Sequence, residues 1–216
     1  FLYGQPDGGP THDAPQNGYL NRSRVSLDYI PRDNNHPYRP AIIFRMAEAY
    51  LSYAEALNES SERMSHKQEI LDNLNKIRHR AGIAEYGTGT DENGFTRIKI
   101  NFSDQKEVRR LIHKERRVEF VGEGVRYHDL RRWKTAHYGI GNLNEQGENP
   151  DWGVNGPDYG MNYYGTEYTD QGDNAFFKRT KYMDRVYPRK FYWYPIHQSE
   201  IDKDPTLVQG PFWLGE

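Results

Sequence analysis

The 216-residue sequence contains no cysteine, which excludes a disulfide framework and any thiolate metal site. It holds no apolar run approaching the roughly 20 residues that a bilayer-spanning helix requires. Charge of one sign is missing as well. The 29 basic and 31 acidic residues leave a net charge of −2, so the chain as a whole offers no field that would gather nucleic acid. HExxH, GxSxG, GxxxxGKS/T and GxGxxG are all absent and the eight histidines are scattered, so neither a cofactor nor a metal ion is expected. The sequence opens on Phe1 without an initiator methionine or a secretory signal; it is expected to be a processed or partial product.

Aromatic residues are plentiful: 17 tyrosines and 4 tryptophans stand in a chain that is only 35 % hydrophobic. Residues 1–40 are rich in Gly, Pro, Asn and Asp and read as loop, with a short strand near Ser26–Ile30. In "AIIFRMAEAYLSYAEALNE", Ile43, Ala47, Tyr50, Ala54 and Leu57 recur at helical spacing, and Ala49, Tyr53 and Ala56 lie beside them on a second approachable face. A second helix is predicted from Ser65, with Gln68 completing a capping box and Gly82 closing the end. Ile70, Leu74, Ile77 and Ala81 form its stripe.

After "YGTGTDENG", a third helix is predicted from an N-cap at Ser103, running to Gly122, with Asp104 favourable to the dipole. A fourth follows "GEG" with Tyr127, Leu130 and Trp133. Paired as 41–59 with 66–81 and 104–121 with 125–134, these segments predict a mainly α fold of tetratricopeptide-like helix pairs. The same reading expects long, irregular, aromatic-rich loops around the pairs.

The stretch "HKERRVEFVGEGVRYHDLRRWK", His113 to Lys134, poses a choice between site and scaffold. Leu111, Ile112, Glu115, Val118 and Glu119 share one side of the third helix, which turns both glutamates toward the core. A buried carboxylate needs a partner, and Arg116, Arg117, Arg126, Arg131 and Arg132 are candidates suited to bidentate pairing. Glycosidase chemistry needs one carboxyl held protonated, and a segment this rich in arginine supplies the opposite surroundings. The glutamates also interrupt any nucleic-acid face. The segment therefore reads as a scaffold of glutamate–arginine pairs that docks helices.

Four stretches carry a resemblance: "FRMAEAYLSYAEALNE", "LNKIRHRAGI", "ERRVEFVGEGVRYHDLRRW" and "YPIHQSEIDKDPTLVQGPFW". In order and spacing they resemble the C-terminal part of SusD/RagB-like outer-membrane lipoproteins of Bacteroidetes, over about residues 41–134 and 191–213. The end departs from that pattern, with Gln209-Gly210-Pro211-Phe212-Trp213 where the family more often has Asn-Pro-Gly before the aromatic. The resemblance implies a tetratricopeptide-like helical fold and a non-catalytic nutrient-binding role. It also implies a cell-surface position on the outer membrane, through a lipid anchor on an N-terminal portion absent from this chain, and a lid-like partnership with a SusC-like TonB-dependent transporter. On that reading residues 1–216 are the C-terminal portion of a SusD-like protein. Its helical scaffold is 41–134, its variable loop insertion 137–180 and its closing segment 191–216.

The motifs are scaffold, so a ligand site is sought where they stop. Between His137 and Thr180 the helical period disappears, and Tyr138, Trp152, Tyr159, Tyr163, Tyr164 and Tyr168 stand among Asn, Asp, Gln and Gly. A sugar presents an apolar C–H face that stacks on an aromatic ring and hydroxyls that pair with amides and carboxylates. Trp152, Tyr163 and Tyr164 are the leading candidates to bind a glycan, followed by Tyr159 and Tyr168. Packing of the loop, or contact with the transporter, is the competing use of the same rings. The run Phe191-Tyr192-Trp193-Tyr194 reads as core and strand pairing. "DENG" and "DQGDN" lack EF-hand spacing and read as solvated turns rather than Ca²⁺ loops.

The reading that results is a receptor for oligosaccharide or polysaccharide. A peptide receptor of the RagB kind is the alternative. A glycan hydrolase drawing on Asp151, Asp158, Glu167, Asp170 and Asp173 is less favoured, as is an intracellular helical adaptor.

Overall fold

The computed structural model describes residues 18, 19, 26, 28, 38, 41–139 and 153–213. The strand expected near Ser26–Ile30 falls largely outside them, and so does Trp152. The chain divides into two compact units, Val25–His128 and Phe1–Arg24 with Asp129–Glu216.

The first unit is helical: α1 (Met46–Glu59), α2 (Lys67–Ala81) and α3 (Gln105–Glu119), with the start of α4 (Val125–Arg132). α1 packs against both α2 and α3, as its two approachable faces predict. Leu51, Ala54, Ile70, Leu74, Val108 and Ile112 fill the shared core, joined by Tyr86 and Phe120. The third helix takes α1 rather than α4 as its main packing partner. Ile43, expected in the α1 stripe, is 97 % exposed. Its helix starts three residues later, because Arg45 is still extended at φ −141°.

The helix ends show which polar side chains close the backbone. Gly82 is left-handed at φ 66° and its N–H returns to the α2 carbonyls of Arg78 and His79, as expected of a glycine cap. Asp104, not Ser103, is the N-cap of α3, its carboxylate accepting from the N–H groups of Lys106 and Glu107. Ser65 does not form a capping box, because its hydroxyl donates to the Glu62 carbonyl at 2.8 Å. The N-cap position of α2 falls to His66 instead.

In the second unit, β1 (Gly156–Gly160) and β2 (Thr180–Arg185) form an antiparallel pair with a bulge at Asp158/Tyr159. A 3₁₀ turn over Arg189–Tyr192 and α5 (Gln198–Lys203) follow. Leu130, Ala136 and Tyr187 form the unit's core, with Val154 and Tyr192 against it. The run Phe191–Tyr194 is thus neither strand nor core: Phe191, Trp193 and Tyr194 are 41 %, 53 % and 75 % exposed. Tyr192 alone of the four turns inward.

Candidate functional site

The glutamates of α3 behave as scaffold. Glu115 is buried and accepts from Arg78 Nη1 at 2.5 Å and from the Tyr86 hydroxyl at 2.8 Å. Burial pushes the Tyr86 phenol well above its ordinary range, and the Glu115 carboxylate adds to the shift. Glu119 is paired with Arg45 and with Arg80. The partners are therefore not the arginines near in sequence. They come from α2 and from the residue preceding α1, so these pairs tie three segments together. Arg116 instead donates to Ser52 of α1 at 3.0 Å and lies over the Phe120 ring. Val118 is 64 % exposed rather than core, because the buried arc turns toward His113 and Arg116.

The aromatic segment 153–187 is folded on its own backbone. Asn162 N–H donates to Phe176 O at 2.9 Å, Phe176 N–H to Glu167 O at 2.8 Å, and Thr166 N–H to Asn174 O at 2.9 Å. Gly165 lies so close to this return strand that a Cβ would meet the Phe176 backbone at 2.6 Å; no side chain fits there. Ala175 and Phe176 are buried beneath the turn.

On this frame the predicted rings take different positions. Tyr163 and Tyr164 meet edge to face at 5.4 Å, and Tyr164 is 70 % exposed. Tyr168, 61 % exposed, lies 6.5 Å from the Phe176 ring and 6.3 Å from that of Phe177. Tyr159 on β1 is covered by the Arg179 guanidinium at 3.9 Å, a cation–π contact that occupies one face of the ring. Tyr138 stacks at a tilt on His137, 4.0 Å away. Phe177, 49 % exposed beside Tyr168, adds a ring that the tyrosine-rich pattern does not bring forward. "AFF" within a polar loop is the signal that marks it, one phenylalanine anchoring and the next facing out.

Of the acidic pool, Asp158 and Asp173 hold side-chain partners, and Asp151 lies outside the described residues. Asp158 accepts from the Tyr182 hydroxyl at 2.7 Å and pairs with Arg185. Lys178 bonds Asp173 at 2.8 Å and holds its carboxyl below the usual range. Asp91 of "DENG" is a turn clasp, its carboxylate accepting from the backbone of Asn93, Phe95 and Glu85.

A cleft of about 930 Å³ opens in the helical unit between α2 and the loop 85–102. That loop is a folded wall: Gly87 N–H donates to Ile98 O and Ile98 N–H to Glu85 O, at 2.9 and 2.8 Å. Nothing in the linear order of "YGTGTDENGFTRIKI" foretells a cleft, since it is made by the loop folding back over the polar side of α2.

With this helical scaffold and its paired glutamates in view, the comparisons with known proteins decide the family. The SusD family model matches residues 3–213. The chain belongs to the SusD family. Among curated members, SusD-like protein P25 of Formosa agariphila is 32 % identical over 109 residues, half of this chain and 18 % of that protein. SusD-like protein P38 of the same organism is 32 % identical over 103 residues, 48 % of this chain and 19 % of its own length. The chain thus spans about a fifth of the curated SusD-like relatives it matches. A crystal structure of a SusD-like protein from Bacteroides fragilis superposes with a TM-score of 0.51 at 27 % identity. That match covers 80 % of this chain and 26 % of the other. The mainly helical fold is the SusD-like one.

Proposed function

We propose that the protein is a non-catalytic receptor that binds oligosaccharide or polysaccharide at the cell surface and delivers it to a SusC-like TonB-dependent transporter in the outer membrane. Membership of the SusD family supports a nutrient-binding role. One structural observation carries the choice of glycan: Tyr164, Tyr168 and Phe177 present exposed rings on a loop whose backbone is tied by its own hydrogen bonds. Rings held in this way stack on the C–H faces of sugars without first losing backbone entropy. Neighbouring Asn162, Glu167 and Asp170 supply groups for hydroxyls. Tyr163, Tyr159 and Trp152 extend this proposed binding set, and Trp152 lies outside the described residues.

Peptide binding is the second reading. A bound peptide would pair through its backbone and tolerate loss of a single ring, whereas a sugar platform hinges on one or two of them. Titration of Tyr164→Ala/Tyr168→Ala and of Trp152→Ala in the full-length protein separates the readings. The glycan reading expects a loss of at least about tenfold in affinity, equivalent to removing about 1.4 kcal/mol of stacking. Glycan affinity unchanged in both variants would remove the loop from the site.

A further inference from the structure

We infer that the cleft between α2 and the loop 85–102 is a second binding site, for a neutral, polyhydroxylated ligand such as an uncharged oligosaccharide segment. The choice of ligand class rests on the receptor reading above, but the site is a different one, built wholly from residues of the helical unit.

Size is the first argument. About 930 Å³ lies at the upper end of the range for small-molecule sites, room for several sugar rings rather than one. The lining is the second. Tyr50, Leu71, Ile100 and Phe102 give the cleft apolar surface, and all four are partly buried against the helical core, so this surface is fixed. Lys76 sits over the Tyr50 ring at 4.4 Å. Around the apolar surface stand Gln68 and Asp72, joined by a 2.7 Å bond from the Gln68 amide to the Asp72 carboxylate, with Lys99 and Glu92; their remaining donors and acceptors are open to hydroxyls.

Charge is the third argument, and it narrows the ligand. Glu85 is taken up by Arg97 at 2.9 Å and by His79 at 3.2 Å. The remaining lining charges balance, Lys76 and Lys99 against Asp72 and Glu92. A polyanion gains nothing overall from such a wall, and a polycation no more. A neutral ligand with many hydroxyls matches a wall that holds both donors and acceptors beside apolar surface.

The test uses the full-length protein and a panel of neutral gluco-, manno- and xylo-hexaoses, with a sulfated form of each. Wild-type protein is expected to bind a neutral hexaose and, on binding, to slow hydrogen exchange in peptides covering 67–81 and 85–100. Asp72→Arg places a bulky cation in the cleft from an exposed helix position and is expected to weaken binding there by about tenfold or more. Gln68→Ala, also exposed, removes one hydrogen-bonding group without bulk and is expected to weaken it several-fold. In Tyr164→Ala/Tyr168→Ala the protection over 67–100 should persist. Exchange protection confined to residues 153–187, with Asp72→Arg neutral, would overturn the cleft while leaving the receptor reading intact. Binding of the sulfated forms alone would overturn the assigned ligand class. No glycan binding by wild-type protein would overturn both.

Discussion

Glu115 shows how much one side chain ties together. It lies on α3, takes a guanidinium from α2 and accepts the hydroxyl of Tyr86 from the following loop. Glu115→Ala leaves Arg78 buried without its counter-charge, and removing one partner of a buried pair costs about 3–5 kcal/mol. The denaturant midpoint should fall accordingly with the slope unchanged; a loss below about 1 kcal/mol would mean that the pair is solvated.

Two tyrosines make a second residue-level prediction. Burial raises the phenols of both Tyr86 and Tyr192, the latter to about 12, from an ordinary value of 10.0. Above about pH 10 the unfolded chain releases these protons while the fold retains them. Stability is therefore complete below pH 10 and falls as pH rises toward 12. Melting temperatures from pH 8 to 11.5 should show that fall, and Tyr192→Phe should make it shallower.

At the scale of the element, end groups decide where helices begin. Asp104→Ala removes the carboxylate that caps α3 and should cost about 1 kcal/mol, whereas Ser103→Ala should be near neutral. Thermal denaturation of the two variants side by side checks the assignment, and the reverse order would restore Ser103 as the cap. This is also where sequence and structure part company. Helical periodicity marks Ile70, Leu74, Ile77 and Ile112 as core because burial of a stripe is a local property. It likewise places Glu115 and Glu119 inward. Their partners were not legible, because Arg45, Arg78 and Arg80 reach them only once α1, α2 and α3 are docked. The choice between adjacent Ser103 and Asp104 depends on one residue's backbone angle, and periodicity does not resolve it. The hairpin of GPDYG with TKYMDR has neither alternation nor β-branched enrichment. Backbone pairing and the contacts of Asp158 with Tyr182 and Arg185 hold it across the bulge, and no hydrophobic pattern announces them.

At the scale of the molecule, the candidate sites differ in how far they could be foreseen. The exposed rings of the second unit were legible as a class, aromatic residues among polar ones outside the scaffold motifs. Their division was not: Tyr159 is covered by Arg179, Phe176 is the buried anchor, and Tyr164, Tyr168 and Phe177 face outward. The cleft of the helical unit was invisible because its walls are far apart in kind, a helix's polar side and a turn-rich loop. Glycan capture is the role proposed for this SusD-family protein. Calorimetric titration of the full-length protein against separate panels of polysaccharides and mixed peptides tests it most directly. Saturable heat is expected with one glycan class, diminished in Tyr164→Ala/Tyr168→Ala, and none with peptides. Saturable peptide binding with no response to any glycan would contradict that role.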